Sequence, residues 1–234
     1  APVEEMLAAV ETEALRVSDL EGVRVLVTAG GTHEPIDPVR YIGNRSSGKT
    51  GFAVAAEAAR RGADVTLVTG PTHLVDPFGC TVVRVQTARE MHAEVMSHAT
   101  AQDLIVMSAA VADFRPAEPV AGKIKKSDAP SAIDLVRNPD ILAELGQRDD
   151  VRAVLVGFAA ETSDVLEHAR QKLAAKRCHL IVANDVSDPS IGFGTEDNRV
   201  WFVTPSGTEE TGLTSKNAIA RTLLDRARDL LPGR

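Results

Sequence analysis

The 234-residue sequence is poor in cysteine and in aromatic side chains, and it lacks any long apolar run. Its two cysteines, Cys80 and Cys178, stand far apart, which argues against a disulfide-stapled fold and favours a reducing compartment. The histidines show no H-x-x-x-H spacing and no C-x-x-C pair occurs, so a structural zinc site is not expected. No apolar stretch approaches the ~20 residues of a transmembrane helix, and no signal peptide is visible. We therefore expect a cytoplasmic protein that does not enter a membrane.

The charge balance argues against another class of partner. A formal net charge of -7 disfavours a nucleic-acid-binding protein that works by neutralising phosphates. A small anionic substrate remains compatible, because a local basic cluster can override the sign of the whole chain. The composition, 44% hydrophobic and 25% charged, is typical of a soluble globular protein with one large domain.

Short β-branched runs alternate with helical segments along the chain. The first run, "VRVLVTAGG", is continuously apolar, as is typical of a parallel strand buried on both faces. A helical stretch at 51–62 and a second run at 63–70 complete a βαβ unit. The prediction is an α/β fold, Rossmann-like and doubly wound, with a mainly parallel sheet and with ligands beyond the carboxyl ends of its strands.

The alternation continues to the end of the chain. Further strands are predicted at 80–86, 102–110, 132–137, 151–160, 179–185 and 198–204, and further helices at 87–99, 138–147, 163–177 and 215–231. The helix at 138–147 is expected to have Asn138 as its cap and Pro139 at its first position. A long excursion at about 110–132 interrupts the pattern. Residues 1–22, with a helix at 4–16, are predicted to be a linker, and residues 23–234 to be the folded domain.

The segment "GNRSSGKT", residues 43–50, matches the Walker A pattern G-x-x-x-x-G-K-[ST]. A true P-loop joins a strand directly to a helix, so that its amides cradle the phosphates. Here the first strand ends near Ala29, well before Gly43, and the intervening residues include two prolines. No well-placed Walker B aspartate closes a later strand. The context therefore argues against a P-loop NTPase.

The same loop nevertheless carries features of a phosphate site. Long loops in compact domains are usually functional, although an ordinary surface Ω-loop is the alternative. Ser46, Ser47 and Gly48 at a helix start offer hydroxyls and free amides to an anion. The positive charges around them are Arg40, Arg45 and Lys49. No G-x-G-x-x-G fingerprint occurs, which disfavours a nicotinamide-dependent dehydrogenase.

The excursion carries a second candidate cluster. A strand delivers Ala109 at its carboxyl end, and Asp113 follows, which suits the close approach of a base or a ribose. Lys123, Lys125 and Lys126 come later in the excursion and suit a triphosphate as mobile point charges. A solvated charge run is the alternative interpretation of these lysines.

Three shorter signals complete the set, and each has a structural alternative. Asn138 and Asp140 stand at a helix start, where the helix dipole favours anions, but simple capping also explains them. Phe158 ends a strand and is placed either to stack on a base or to pack in the core. Lys172 and Lys176 share one helix face, as ligands for an anion or as ordinary surface lysines.

Five motifs together resemble one enzyme family. They are "TAGGT…EPIDPVRYIGNRSSGKTG", "SAAVADFRP…KIKK", "RNPDI", "VGFAAET" and "IVANDV", and they run in order from about Val23 to the end. The sequence resembles phosphopantothenate–cysteine ligase of the bacterial type, the carboxyl-terminal half of a bifunctional coenzyme A biosynthesis protein. Such ligases carry N-x-S-S-G-K-x-G at 44–51, so Thr50 completes the Walker pattern by accident. The start at Ala1 without Met then suggests a piece whose FMN-dependent decarboxylase half is missing.

The resemblance implies an activity. Such enzymes are carbon–nitrogen ligases that join 4'-phosphopantothenate to L-cysteine with CTP and Mg²⁺, through an acyl-cytidylate and with release of pyrophosphate. Mg²⁺ is expected to bind mainly through the nucleotide phosphates. The family also implies a homodimer, in which the excursion at 110–132 helps to build the site.

The resemblance also implies roles for residues at matching positions. Asn44 would act on the acyl-cytidylate when cysteine attacks, and Arg40 would help to bind phosphopantothenate. The expected nucleotide-binding residues are Gly30, Gly31, Ser46, Ser47, Gly48, Met107, Ser108, Ala109, Asp113, Lys123, Asn138, Pro139, Asp140, Ile141, Phe158, Lys172 and Lys176. A P-loop kinase or NTPase and a non-catalytic nucleotide-binding module remain the alternatives. Asn44 argues against the non-catalytic nucleotide-binding module, because a protein that only binds a nucleotide does not need an oxyanion donor beside the α-phosphate.

Overall fold

The computed structural model describes residues 18–126, 132–187 and 195–233, together with Val3 and Met6. The strands are β1 (Arg24–Ala29), β2 (His33–Pro35), β3 (Tyr41–Gly43), β4 (Asp64–Thr69), β5 (Cys80–Arg84), β6 (Leu104–Met107), β7 (Phe114–Pro116), β8 (Leu135–Arg137), β9 (Val154–Glu161), β10 (Leu180–Asp185), β11 (Asp197–Thr204) and β12 (Gly207–Ser215). The helices are α1 (Lys49–Arg60), α2 (Ala88–His98), α3 (Ile141–Gln147), α4 (Val165–Ala175) and α5 (Lys216–Asp229), with a 3₁₀ turn at Ala99–Ala101. The helix predicted at 4–16 lies outside the described residues apart from Met6.

A central sheet of eight strands has the order β12-β11-β10-β9-β6-β1-β4-β5. The strands from β5 to β10 in this order run parallel, and β11 and β12 are antiparallel. The chain moves from β1 outward to β4 and β5 on one side, and then from β6 outward to β9 and β10 on the other. Beyond the carboxyl ends of β1 and β6 there is therefore a topological switch point, where open α/β sheets bind ligands. The predicted Rossmann-like, doubly wound fold is confirmed.

Helices cover both faces of this sheet because successive strand residues point to opposite sides. Val25 and Val27 belong to an apolar cluster with α1 and α5, whereas Leu26 belongs to a second cluster with α2, α3 and α4. Burial on both faces explains the continuous apolar runs that predicted these strands. No helix in the described ranges is long and apolar enough to cross a membrane.

Two antiparallel pairs lie outside the main sheet and were not foreseen as such. β2 pairs with β3 inside the long loop before α1, and β7 pairs with β8. The strand predicted at 132–137 thus joins the excursion and not the central sheet, which corrects the expected alternation. β12 was not predicted, because the sequence of this exposed edge strand, GTEETGLTS, carries no apolar alternation.

The packed unit includes residues before position 23. Leu20 is fully buried, and its amide donates to the Arg61 carbonyl at 3.0 Å. Asp19 accepts hydrogen bonds from the guanidinium groups of Arg61 and Arg228. Both guanidinium groups outweigh the effect of burial and lower the pKa of Asp19, with the Arg61 hydrogen bond contributing most. Part of the segment predicted as a linker is therefore fixed to the domain.

Candidate nucleotide site

A cleft of about 810 Å³ opens at the switch point. Its walls are the loop before α1, the carboxyl ends of β6, β9 and β10, the first residues of the excursion, and the starts of α3 and α5. Most of the predicted site residues line it: Asn44, Ser46, Ser47, Gly48, Met107, Ser108, Ala109, Asp113, Asn138, Pro139, Asp140, Ile141, Phe158, Lys172 and Lys176. The topology thus brings together segments that are far apart in the sequence.

The start of α1 forms one wall of the cleft. Gly48 caps the helix in the left-handed conformation, with φ at 81°, and no side chain caps the first turn. The Ser46 hydroxyl accepts a hydrogen bond from the Gly48 amide at 3.4 Å, and Lys49, Thr50 and Gly51 follow along the wall. Uncapped amides and the positive end of the helix dipole attract anions. This wall has the chemistry of a phosphate site.

The carboxyl end of β6 forms the floor. The Ser108 hydroxyl donates to the Thr28 carbonyl at 2.6 Å, and the Ala109 amide donates to the Thr28 hydroxyl at 3.1 Å. The Asn44 side-chain amide donates to the carbonyls of Ala110 and Val111, at 3.3 and 3.1 Å. Asn44 is therefore held over the strand end, next to the wall that the start of α1 forms.

The approach to α3 closes another side of the cleft. The Asn138 amide group donates to the Ala112 carbonyl at 2.8 Å and accepts from Arg115 at 3.1 Å, which ties β8 to the excursion. Asp140 caps α3 by accepting from the Ala143 amide at 3.0 Å. The prediction that Asn138 caps this helix was wrong, because its side chain bonds to the excursion and the helix begins at Ile141.

Lys172 and Lys176 extend from α4 toward the cleft. Lys172 donates to the Phe158 carbonyl at 2.7 Å, and Lys176 forms an ion pair with Asp140. Burial lowers the pKa of Lys172, against the attraction of Glu161 and Asp140. Burial would raise the pKa of Asp140, but hydrogen bonds from Lys176 and the Ala143 amide outweigh it and lower that pKa. The carboxylate of Asp140 and the ammonium group of Lys176 thus stabilise each other.

Three polar residues of the cleft wall were not predicted. Lys216 begins α5, Asn184 ends β10, and Asn198 lies in β11; all three are nearly buried and line the cleft. Asn184 belongs to the motif "IVANDV", which was noted for its resemblance and not for a contact. Lys216 follows Ser215, a residue suited to a helix cap, but nothing in the sequence indicates that this helix start reaches the site.

All seven lysines of the sequence lie on the cleft or on the excursion next to it. Lys49, Lys172, Lys176 and Lys216 line the cleft, and Lys123, Lys125 and Lys126 belong to the excursion. Arg45 and Arg137 also line the cleft, whereas other arginines pair with carboxylates elsewhere, such as Arg24 with Asp103. Lysine is a flexible point charge that suits phosphates, whereas the planar guanidinium group suits fixed carboxylate pairs. The distribution concentrates mobile positive charge at one site in a chain of negative net charge.

Four predicted residues lie off the cleft wall. Gly30 and Gly31 lie behind it, and a Cβ on Gly31 would approach the Asn44 carbonyl to 3.0 Å. These glycines allow the loops to pack closely. Arg40 contacts the excursion, where its guanidinium group donates to the Ile124 carbonyl at 2.7 Å. Lys123 precedes Ile124, so it lies in the part of the excursion that Arg40 contacts.

A family model, the DNA/pantothenate metabolism flavoprotein C-terminal domain, matches residues 20–230. The chain belongs to this family. The resemblance carried by the five motifs is therefore confirmed at the level of the family.

Relatives of this domain are long proteins. The coenzyme A biosynthesis bifunctional protein CoaBC of Mycobacterium bovis (strain ATCC BAA-935 / AF2122/97) is 50% identical over 228 residues, which cover 92% of this chain and 54% of the relative. The protein of the same name from Escherichia coli (strain K12) is 47% identical over 212 residues, with 89% and 52% covered. This chain spans about half the length of these relatives.

A solved structure of the family has the same architecture. The crystal structure of the C-terminal domain of coenzyme A biosynthesis bifunctional protein CoaBC gives a TM-score of 0.77 at 39% identity. The superposition covers 91% of this chain and 97% of that domain. The β2–β3 pair between β1 and α1 separates this fold from a P-loop, in which strand and helix are joined directly. In addition, Lys49, which occupies the position of the Walker lysine in the sequence pattern, forms an ion pair with Glu196.

Proposed function

We propose that this domain is a ligase that joins 4'-phosphopantothenate to L-cysteine, with CTP and Mg²⁺ as co-substrate and cofactor. The observation that carries the proposal is one cleft in which an uncapped helix start, four lysines and the Asn44 amide meet. Its relatives are named for coenzyme A biosynthesis, which agrees with this chemistry. We also infer that the full-length protein carries an FMN-dependent decarboxylase half.

The first step requires positive charge around the phosphates. A carboxylate oxygen of phosphopantothenate attacks the α-phosphorus of CTP, an oxygen–phosphorus bond forms, and the bond to the β-phosphate breaks. Both reactants are anionic and pyrophosphate leaves with more charge, so fixed cations and helix amides stabilise the transition state. The uncapped amides at the start of α1, those of Lys49, Thr50 and Gly51, face this task together with the cations Lys172 and Lys176 of the same cleft.

The second step requires a hydrogen-bond donor at the acyl carbon. The cysteine amine attacks the acyl-cytidylate, a tetrahedral oxyanion forms, and CMP leaves as the carbon–nitrogen bond is completed. Asn44 is the side-chain amide of the cleft that stands beside the helix start, and we assign the oxyanion contact to it. An amide that gives up a carbonyl partner when the oxyanion develops stabilises the transition state selectively.

Bound Mg²⁺ would neutralise phosphate charge during the first step. Among the described residues, no group of three or more His, Cys, Asp or Glu side chains could hold a metal ion. The donor set of the cleft is instead rich in lysines and amides, which suits a metal that arrives with the nucleotide and is bound through phosphate oxygens.

We further propose that the domain works as a homodimer. Five exposed apolar side chains lie on the two small β-pairs and on the turn between β2 and β3: Val39, Tyr41, Phe114, Leu135 and Val136. β2 and β7 contact each other, so these side chains belong to neighbouring elements. A partner that covers such a patch would also cover the mouth of the cleft, because Phe114 lines both.

Measuring which phosphate is released tests the proposal. The protein is incubated with 4'-phosphopantothenate and Mg²⁺, with CTP or ATP in parallel, and pyrophosphate and orthophosphate are assayed before and after cysteine is added. We expect pyrophosphate from CTP only when phosphopantothenate is present, with about one equivalent per site before cysteine and continuous release afterwards. Orthophosphate from ATP that is indifferent to phosphopantothenate would instead favour a P-loop activity. Nucleotide binding without any release would leave a binding module.

A further inference from the structure

Arg137 places a guanidinium group on the cleft wall, and neither step of the proposed reaction uses it. It is the last residue of β8, it is exposed, and it lines the cleft together with Phe114. No carboxylate of the described residues forms an ion pair with Arg137, whereas Arg84, at the end of β5, pairs with Asp76. An arginine that lines a cleft without a carboxylate partner is available to an anion from solution.

The aromatic ring of Phe114 orients this guanidinium group. Phe114 and Arg137 are opposite each other in the antiparallel β7–β8 pair, and the guanidinium carbon lies 5.9 Å from the centroid of the ring. Within the same pair of strands, the Arg115 guanidinium donates to the Arg137 carbonyl at 2.6 Å, which also fixes the backbone. A ring below the guanidinium plane contacts its face and leaves the N–H donors at its edge available. The donors of Arg137 are therefore preorganised for an external anion.

The proposed substrate brings a phosphate within reach of this group. Asn44, to which the oxyanion contact is assigned, donates to the Val111 carbonyl at 3.1 Å. Phe114 follows three residues after Val111, and three residues of chain span at most about 10 Å. In phosphopantothenate, the carboxylate and the 4'-phosphate stand at opposite ends of a chain that is about as long as three extended residues. When the carboxylate reacts beside Asn44, the phosphate can therefore reach Arg137, which is paired with Phe114.

The other arginines near the cleft are engaged or lie elsewhere. Arg40, to which the resemblance assigns phosphopantothenate, does not line the cleft in this chain and is bonded to the Asp37 carboxylate and the Ile124 carbonyl. Arg45 lies beside the start of α1, where the proposed first step places the nucleotide phosphates, and the lysines of the cleft are assigned to the same phosphates. Among the described residues that line the cleft, Arg137 is thus the cation that remains for the 4'-phosphate.

We propose that Arg137 binds the 4'-phosphate of phosphopantothenate and thereby selects this substrate over unphosphorylated pantothenate. The inference rests on the proposed function and deepens it. A planar guanidinium group also fits a phosphate, because it donates two parallel hydrogen bonds to two of the phosphate oxygen atoms. No bond of the 4'-phosphate forms or breaks in the reaction, so the contact is equally strong in the ground state and in the transition state. Such a contact lowers KM for the substrate and leaves kcat unchanged.

The experiment compares phosphopantothenate with pantothenate in Arg137→Met. The rate of pyrophosphate release is measured with saturating CTP, Mg²⁺ and cysteine, while the concentration of either substrate is varied. KM for phosphopantothenate should rise about tenfold or more and kcat should change by less than about twofold, because a charge-assisted contact to the phosphate is lost. The kcat/KM for pantothenate and the KM for CTP should stay within about twofold, since neither depends on the 4'-phosphate.

Two further variants serve as controls. Arg137→Lys keeps one positive charge but not the paired hydrogen bonds, so it should restore only part of the affinity for phosphopantothenate. Arg152→Met removes an exposed arginine shortly before β9, at the edge of the sheet opposite to the cleft, and should change none of these constants. Where turnover of pantothenate is too slow to measure, calorimetric binding of both compounds to the unmodified protein and to the variants gives the same ratio.

An unchanged KM for phosphopantothenate in Arg137→Met would overturn the inference. An equal loss for phosphopantothenate and pantothenate, or a matching rise of KM for CTP, would overturn it as well, because it would indicate a disturbed cleft and not a lost phosphate contact. If the unmodified protein releases no pyrophosphate from CTP, the proposed function fails and the inference fails with it. Normal release by the unmodified protein together with an unaffected variant overturns the inference alone.

Discussion

In the proposed mechanism one side chain, Asn44, serves the second step. Its side-chain amide nitrogen donates to the backbone carbonyls of Ala110 and Val111, and the residue is exposed and lines the cleft. A residue whose only task was to attach the loop to the end of β6 would not need to be exposed to the cleft. Exposure together with a replaceable pair of acceptors suits a donor that changes its partner when an oxyanion forms.

We expect Asn44→Ala to separate the two steps. Pyrophosphate release in a single turnover should continue, whereas formation of the cysteine product should fall by roughly 10²–10³, the usual effect of losing one oxyanion donor. Rapid-quench measurement of pyrophosphate, acyl-cytidylate and product checks this, and the intermediate should accumulate. Asn217→Ala, which removes an exposed amide from α5, is the control. If the burst of pyrophosphate disappears as well, Asn44 serves to hold the loop and not to stabilise the oxyanion.

At the scale of elements, the carboxylate of Asp37 connects the excursion to the β2–β3 pair by hydrogen bonds. Asp37 is buried and accepts hydrogen bonds from the amides of Val39, Arg40 and Ile124, at 2.8, 2.9 and 3.2 Å. Arg40 adds an ion pair to the same carboxylate and a hydrogen bond to the Ile124 carbonyl. The hairpin therefore sets the position of the segment that carries Lys123.

The charge of Asp37 should make this connection sensitive to acid. Burial favours the neutral acid, but the amides of Val39, Ile124 and Arg40 outweigh it and lower the pKa to about 2. The folded-state pKa lies below the unfolded value of about 3.9, so the stabilisation is present above about pH 4 and is lost as the pH falls toward 2. Asp37→Asn should flatten the pH dependence of the unfolding free energy in that window, as measured by urea titration.

Hydrogen exchange provides the structural counterpart of this test. In Asp37→Asn, the amide of Ile124 should exchange faster at neutral pH, because its acceptor has lost its charge. Asp76→Asn removes an exposed carboxylate that pairs with Arg84 and should leave both measurements unchanged. An unaltered exchange rate at Ile124 in Asp37→Asn would show that the excursion is held by its other contacts, such as the Val120 amide with the Ile36 carbonyl.

At the scale of the whole molecule, apolar side chains on the two small β-pairs are exposed to solvent, and no other part of the described chain covers them. Leu135 and Val136 lie on β8 with 48% and 38% of their surface exposed, and Tyr41 lies on β3 with 53% exposed. Isolated exposed apolar residues are ordinary, but several on two adjoining β-pairs agree with the proposed interface. In the proposed homodimer, the excursion would form part of the interface beside the cleft.

Self-association should therefore depend on this patch. Leu135→Asp places a charge among apolar side chains and should shift the protein from dimer to monomer in sedimentation-velocity experiments at micromolar concentration. Leu213→Asp, at a more exposed position on the edge strand β12, is the matched control and should leave the dimer intact. A dimer that survives Leu135→Asp but dissociates with Leu213→Asp would place the interface at the opposite edge of the sheet.

The sequence by itself determined the central fold and most of the site. Parallel strands covered on both faces are continuously apolar, so β1, β4, β6, β9 and β10 were predictable from local composition. Ser46 and Asp140 were predictable as cleft residues because helix starts meet the carboxyl ends of such strands. Lys172, in the last turn of its helix, was indicated by the face it shares with Lys176 and by the resemblance. Five motifs in order were also enough to indicate the family.

Only the tertiary structure decided the rest, because the signals concerned are not local. β12 is a polar edge strand that is recognisable only from its pairing with β11. β8 is not part of the central sheet, because it pairs with β7 in the excursion. Lys216 reads as an ordinary lysine at a helix start until the packing of α5 on α1 buries it in the cleft. Which side chains share one cavity depends on the order of strands in the sheet, and that order is set by packing between segments distant in the chain.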